Sequence, residues 1–186
     1  MPQFPPMPSW DSLHPMIIHF PLVLLLITPL FLLIGAALSP SKGSPYILAG
    51  LLMLLLGTGS LFVAASTGEA AAKLAERGGP VDAVLEAHQS LAAETEIVFS
   101  VLSAILLGIV LLPRVLRREE TRLTTTWMPL SFLVLYCAGV LFVVNTAHAG
   151  ARLVHEFGVH AIIPAENNQS NASLPAEQSI QTAARR

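Results

Sequence analysis

The stretch LHPMIIHFPLVLLLITPLFLLIGAAL, Leu13–Leu38, decides the architecture. From Met16 to Leu38 it holds no Asp, Glu, Lys or Arg. That is close to the ~20 residues a helix needs to cross ~30 Å of hydrocarbon. Lipid offers no partner to an unpaired backbone group, so an apolar run of this length spans as a helix. Pro15 suits a first-turn position. Pro21 and Pro29 lie inside the run and should kink it, and the carbonyls they free need donors from neighbours.

Three further apolar runs follow: Pro45–Ser66, Ile97–Leu116 and Met128–Thr146. Composition agrees. Of 186 residues, 53% are hydrophobic and 12% charged, and mean hydropathy is +0.65. The charged share is about half that of a soluble domain, which excludes a disordered chain and sets this one apart from ordinary soluble globules. The fold class is therefore an all-α integral membrane four-helix bundle. Residues 1–12 form a Pro-rich N-terminal segment, 13–163 the four-span domain, and 164–186 a tail rich in Asn, Gln, Ser and Ala that reads as disordered. The N-terminal run has no basic region before it and is broken by proline, so it reads as a retained helix rather than a cleaved signal peptide. Ser39–Pro45 reads as a tight turn and Pro113–Thr126 as the link between the third and fourth spans. Between the second and third, Thr67–Glu96 starts helical, breaks at Gly78-Gly79-Pro80, and resumes as an amphipathic helical segment carrying Val81, Val84, Leu85, His88, Leu91 and Ala92.

Four spans put both tails and the Thr67–Glu96 segment on one side and the two short connections on the other. The 10 Lys and Arg divide evenly. However, Lys42, Arg114, Arg117, Arg118 and Arg122 crowd the short connections, whereas Lys73, Arg77, Arg152, Arg185 and Arg186 are spread over much longer segments. The positive-inside rule weighs short loops, so the expected orientation has both termini periplasmic in a bacterial inner membrane. Trp10 and Trp127 then fall at opposite interfaces.

That topology gathers all six histidines at the outer side: His14 and His19 at the start of the first span, His88 before the third, and His148, His155 and His160 at the end of the fourth. Imidazole at membrane depth is costly unless paired. His14 and His19 stand ~140° apart on a regular helix, so a ligand pair comes from different helices, for example His19 with His148 or His88 with His155. Facing histidines in a four-helix bundle are a haem b site. The candidate cofactor-binding residues are His14, His19, His88, His148, His155 and Arg152, the last placed to meet a haem propionate or quinone headgroup. The candidate iron ligands are His19, His88, His148 and His155, and the same four would bind Cu or Zn in the alternative reading. Small residues Gly57, Gly59, Ala64, Ala65, Gly139 and Gly150 would let helices approach or make room for a flat macrocycle.

Against these stands a plainer reading: interfacial histidines bonded to Asn145, Glu69, Glu94 or headgroups, with His14 capping the first span. Glu69 reads as a helix-start carboxylate, Cys137 as mid-span packing, and Asn145 and Thr146 as interhelical hydrogen bonds. One cysteine excludes an internal disulfide, a CxxC pair and a cysteine-ligated cluster. His155-Glu156 lacks the second histidine of a HExxH zinc-protease helix. A net charge of −2 gives no reason to expect nucleic acid.

The opening Leu13-His14-Pro15-Met16-Ile17-Ile18-His19-Phe20-Pro21 resembles the "LHPxxVHFPI" start of the bacterial membrane proteins called domain of unknown function 2231. His148–Val159 looks like that family's closing "HxGGxLVYxHGV", and Thr67-Gly68-Glu69-Ala70-Ala71 and Glu86-Ala87-His88 follow its habits. The resemblance implies a four-helix membrane domain. Relatives fused to c-type cytochrome, Rieske or rubredoxin-like domains imply electron transfer. His14, His19, His88 and His148 carry over. His155 stands where the pattern has Tyr, and Phe157 where it has His, so His155 does not.

The expected function is thus electron transfer through one or two b haems, between quinol or a membrane partner and a periplasmic carrier such as a cytochrome c. The alternatives are copper or zinc handling, or a non-catalytic subunit of a larger complex. An electron carrier needs no general acid or base, so no enzyme activity is assigned.

Overall fold

The first span does not run unbroken. A computed structural model, describing residues 8–160, opens with a 3-10 turn, Trp10–Leu13, and a single α-turn, His14–Ile17, carrying Pro15 in its first turn. The α-helix proper is His19–Ala37. The interruption at Ile18 has a cause: Pro21 has no N–H to return to Ile17. Pro29 likewise leaves the Leu25 carbonyl without its helical donor, and the Tyr136 hydroxyl from the fourth span donates to it at 2.8 Å.

Four helices are long and apolar enough to cross a membrane: Trp10–Ala37, Pro40–Leu74, Pro80–Val115 and Leu123–His155. They are called the first to fourth spans below. Each packs on its sequence neighbours, and the fourth closes the ring against the first. No strand occurs among the described residues. This is the all-α four-helix bundle expected. The tail 164–186 and part of the N-terminal segment lie outside the described residues.

The turn at Ser39–Pro45 is shorter than expected. Ser39 and Pro40 start the second helix directly, with the Lys42 and Gly43 amides bonded to the Ser39 carbonyl. Pro40 sits where a missing N–H costs nothing. Pro45 falls inside the helix. Thr67–Leu74 and Pro80–Glu96 are helical on either side of the glycines, as the sequence predicts, and run on without interruption from the second helix and into the third. The break comes at Gly78 and Gly79, both at positive φ, with Pro80 opening the next helix. At 35 residues the second helix is about 50 Å long, well beyond the hydrocarbon thickness. The helices therefore project at one end. There Ala72, Leu85 and Leu153, with Val81, Val84 and Val159, form a small second core, as the amphipathic spacing anticipated.

Buried residues recur at alternating steps of three and four. They are Pro21, Leu25, Thr28, Leu32 and Gly35 in the first span, and Gly43, Ile47, Gly50, Leu54 and Gly57 in the second. Phe99, Leu102 and Leu106 continue the pattern in the third, and Pro129, Phe132, Tyr136, Gly139 and Val143 in the fourth. That is the seam of left-handed helix packing. Glycine sets the spacing of the first hairpin, since a Cβ on Gly43 would collide with the Gly35 carbonyl oxygen. Leu26, Leu30, Leu52, Leu56, Val134 and Leu141 point outward, giving the bundle an apolar outer face suited to lipid. Cys137 is on that outer face rather than packed inside.

At the other end the short connections lock together. Arg122 donates to the Leu38 carbonyl at 3.1 Å and the Thr126 hydroxyl to that of Ala36 at 3.1 Å. Arg114 reaches Ser44 Oγ at 2.6 Å and Glu120 at 3.6 Å, and the Ser44 hydroxyl also meets Glu120.

Candidate functional site: two tethered histidines

His14 lies in the turn before the first long helix, at the level where the second helix leaves the apolar zone. Its Nδ1 is 2.9 Å from the Ala64 carbonyl oxygen and 3.2 Å from Thr67 Oγ1. A carbonyl only accepts, so Nδ1 carries the hydrogen. When the ring is neutral, Nε2 then holds the free lone pair. The buried Thr67 hydroxyl donates to the same Ala64 oxygen at 2.9 Å. The ring rests over Gly68, where a Cβ would stand 2.9 Å from His14 Cε1.

His88 repeats this on the other hairpin. Its Nδ1 is 2.9 Å from the Thr146 carbonyl oxygen. Its ring lies over Gly150, where a Cβ would stand 3.0 Å from Cε1. The hydroxyls of Thr95 and Thr146, 2.9 Å apart, tie the third and fourth spans beside it. Both rings are half-buried. A backbone bond at one ring nitrogen, fixing tautomer and leaving the other free, is the posture of a metal-ligating histidine.

The remaining candidates sit differently. His19, His148 and His155 are exposed, and none makes a side-chain hydrogen bond among the described residues. His160 is also exposed, near Glu76. Arg152 donates to Glu156 at 2.8 Å and lies 6.0 Å over the Phe157 ring. The residue that replaces the pattern's histidine is thus what Arg152 packs on. Glu69 stands inside the second helix, not at a helix start, because that helix runs through to Leu74. Asn145 is exposed, whereas Thr146 makes the interhelical bond expected of the pair. Gly57, Ala64 and Gly139 are buried at helix contacts, and Gly59 faces open space.

His14 and His88 stand out in the sequence, but their partners do not. The signal was the small-residue spacing Ala64-x-x-x-Gly68 and Thr146-x-x-x-Gly150, which lets a neighbouring side chain lie against a helix backbone. No group of three His, Cys, Asp or Glu is assembled to hold a metal ion among the described residues.

These features define a four-span α-helical membrane protein with two backbone-tethered histidines near one end. A family model described as "Predicted membrane protein (DUF2231)" matches residues 11–162, and the chain belongs to that family. No curated protein and no solved structure matches it.

Proposed function

We propose that the protein is a membrane electron-transfer component carrying b-type haem at the periplasmic side of a bacterial inner membrane. Its electron donor would be quinol or a membrane partner, and its acceptor a periplasmic carrier such as a cytochrome c. The observation that carries this reading is the shared posture of His14 and His88: Nδ1–H given to a carbonyl, Nε2 left free. The donor set suits haem, which would ask the protein for two imidazoles, supplied here by His14 and His88. Structural zinc wants about four protein ligands, and catalytic zinc about three. Two imidazoles with no third His, Cys, Asp or Glu assembled beside them among the described residues therefore favour haem over the zinc alternative. Bound haem would supply one-electron cycling between ferric and ferrous iron. The chain's own part is to hold the imidazoles in one tautomer, and the Ala64 and Thr146 carbonyls would raise their basicity as ligands. The crowding of Lys42, Arg114, Arg117, Arg118 and Arg122 at the opposite end supports a periplasmic location for this site.

The test is a dithionite-reduced minus oxidised spectrum of the protein purified in mild detergent from cells supplied with haem, with a pyridine haemochrome assay. A sharp α band of b type is expected. A colourless protein would overturn the reading, and bound copper or zinc in its place would favour the alternative.

A further inference from the structure

The two histidine sites are one arrangement used twice. In the first hairpin His14 bonds the Ala64 carbonyl and lies on Gly68. In the second, His88 bonds the Thr146 carbonyl and lies on Gly150. Deeper in the bundle the match continues: a Cβ on Gly57 would meet Leu25 at 2.7 Å, and one on Gly139 would meet Phe99 at 3.3 Å. The registers agree. The step from His14 to His88 equals that from Leu25 to Phe99, and the step from Gly57 to Gly139 equals those from Ala64 to Thr146 and Gly68 to Gly150. Each carbonyl follows its histidine by 50 residues in the first hairpin and 58 in the second. The extra residues lie at the far end, where the third span runs on to Val115 and a longer connection leads to the fourth. Packing obeys the same rule. Exchanging first span with third and second with fourth turns the second–third contact into the fourth–first contact, and both are present. These are the relations of a two-fold axis running along the bundle.

We propose that the chain is one helical hairpin used twice, and that His14 and His88 are equivalent donors to a single metal-bearing group held on the axis between the hairpins. The identity of the group as haem rests on the function proposed above; the symmetry adds its number and its ligand pairing. The other histidines have no counterparts. The same step carries His19 to Ala93, and the corresponding step back carries His148 to Ser66 and His155 to Lys73. Only one pair is repeated, so one group is held, not two. A porphyrin offers two equivalent faces, which two equivalent imidazoles can share.

Titrating the full-length purified protein with haemin, while following absorbance and electron paramagnetic resonance, tests this. Saturation at one haem per chain is expected, with a low-spin, bis-imidazole ferric signal. His14→Ala and His88→Ala should each weaken binding by about 10-fold or more and leave a high-spin, five-coordinate haem, to similar extents. Added imidazole should restore the low-spin signal of the one haem that co-elutes with each folded variant, whereas a misfolded variant would retain no stoichiometric haem. His19→Ala, His148→Ala and His155→Ala should match the parent. Two haems per chain, or a low-spin signal that survives His14→Ala or His88→Ala, would overturn the paired site while leaving the haem reading standing. No haem uptake at all would overturn both.

Discussion

A glycine lies beneath each tethered imidazole, and it decides how the ring can sit. A Cβ on Gly68 or Gly150 would come within 2.9 or 3.0 Å of the imidazole Cε1. Gly68→Ala and Gly150→Ala should therefore push the ring off its carbonyl, with a loss of about 1–3 kcal/mol from overpacking and a broken, partly buried bond. Thermal unfolding in detergent measures this, and Gly59→Ala is the control. Nothing lies within 4 Å of a Cβ at Gly59, so that change should be neutral or stabilising. At this scale the histidines were legible in the sequence but their ranking was not. Which of His14 and His19 faces a neighbour depends on helix rotation and on the break at Ile18. The acceptors are backbone carbonyls, which carry no residue identity to read. Arg152 shows the same limit: its spacing suggests a ligand headgroup, and the structure adds contacts to Glu156 and Phe157 that the spacing does not reveal.

Helix interiors follow the membrane rule that every freed backbone group finds a partner. Pro29 frees the Leu25 carbonyl, and Tyr136 supplies the hydroxyl. Tyr136→Phe should thus leave a buried acceptor unpaired and destabilise by about 1–3 kcal/mol. Pro29→Ala returns a helical N–H to that carbonyl, so Tyr136→Phe should cost less on that background. A double-mutant cycle of unfolding free energies measures the coupling, and additive effects would contradict the assignment. The kink and the need for a donor were legible from the prolines; the identity of the donor was not, because it depends on how the fourth span packs. The full length of the helices is only partly legible, for a different reason. Hydropathy follows the lipid, whereas helices follow backbone hydrogen bonds. The second and third helices therefore continue past Ser66 and begin before Ile97, carrying the second core with them.

For the molecule as a whole, the two ends are built differently. One is closed by charged and hydroxyl contacts among Ser44, Arg114, Glu120, Arg122 and Thr126. The other projects, with the histidine pair at its base and the Ala72–Leu85–Leu153 cluster above. Four spans and the even topology were legible from the apolar runs. The two-fold relation was not, since it lies in matched contacts at Gly57, Gly68, Gly139 and Gly150 amid sequence that is otherwise dissimilar. The redox group proposed for this pair would lie at the outer face. That placement is tested most directly by adding ferricyanide, which does not cross membranes, to dithionite-free reduced protein in sealed vesicles of each orientation. The reduced α band should be bleached at once in right-side-out vesicles and persist in inverted ones until they are permeabilised. Bleaching confined to the inverted vesicles, or no band to bleach in either, would contradict it.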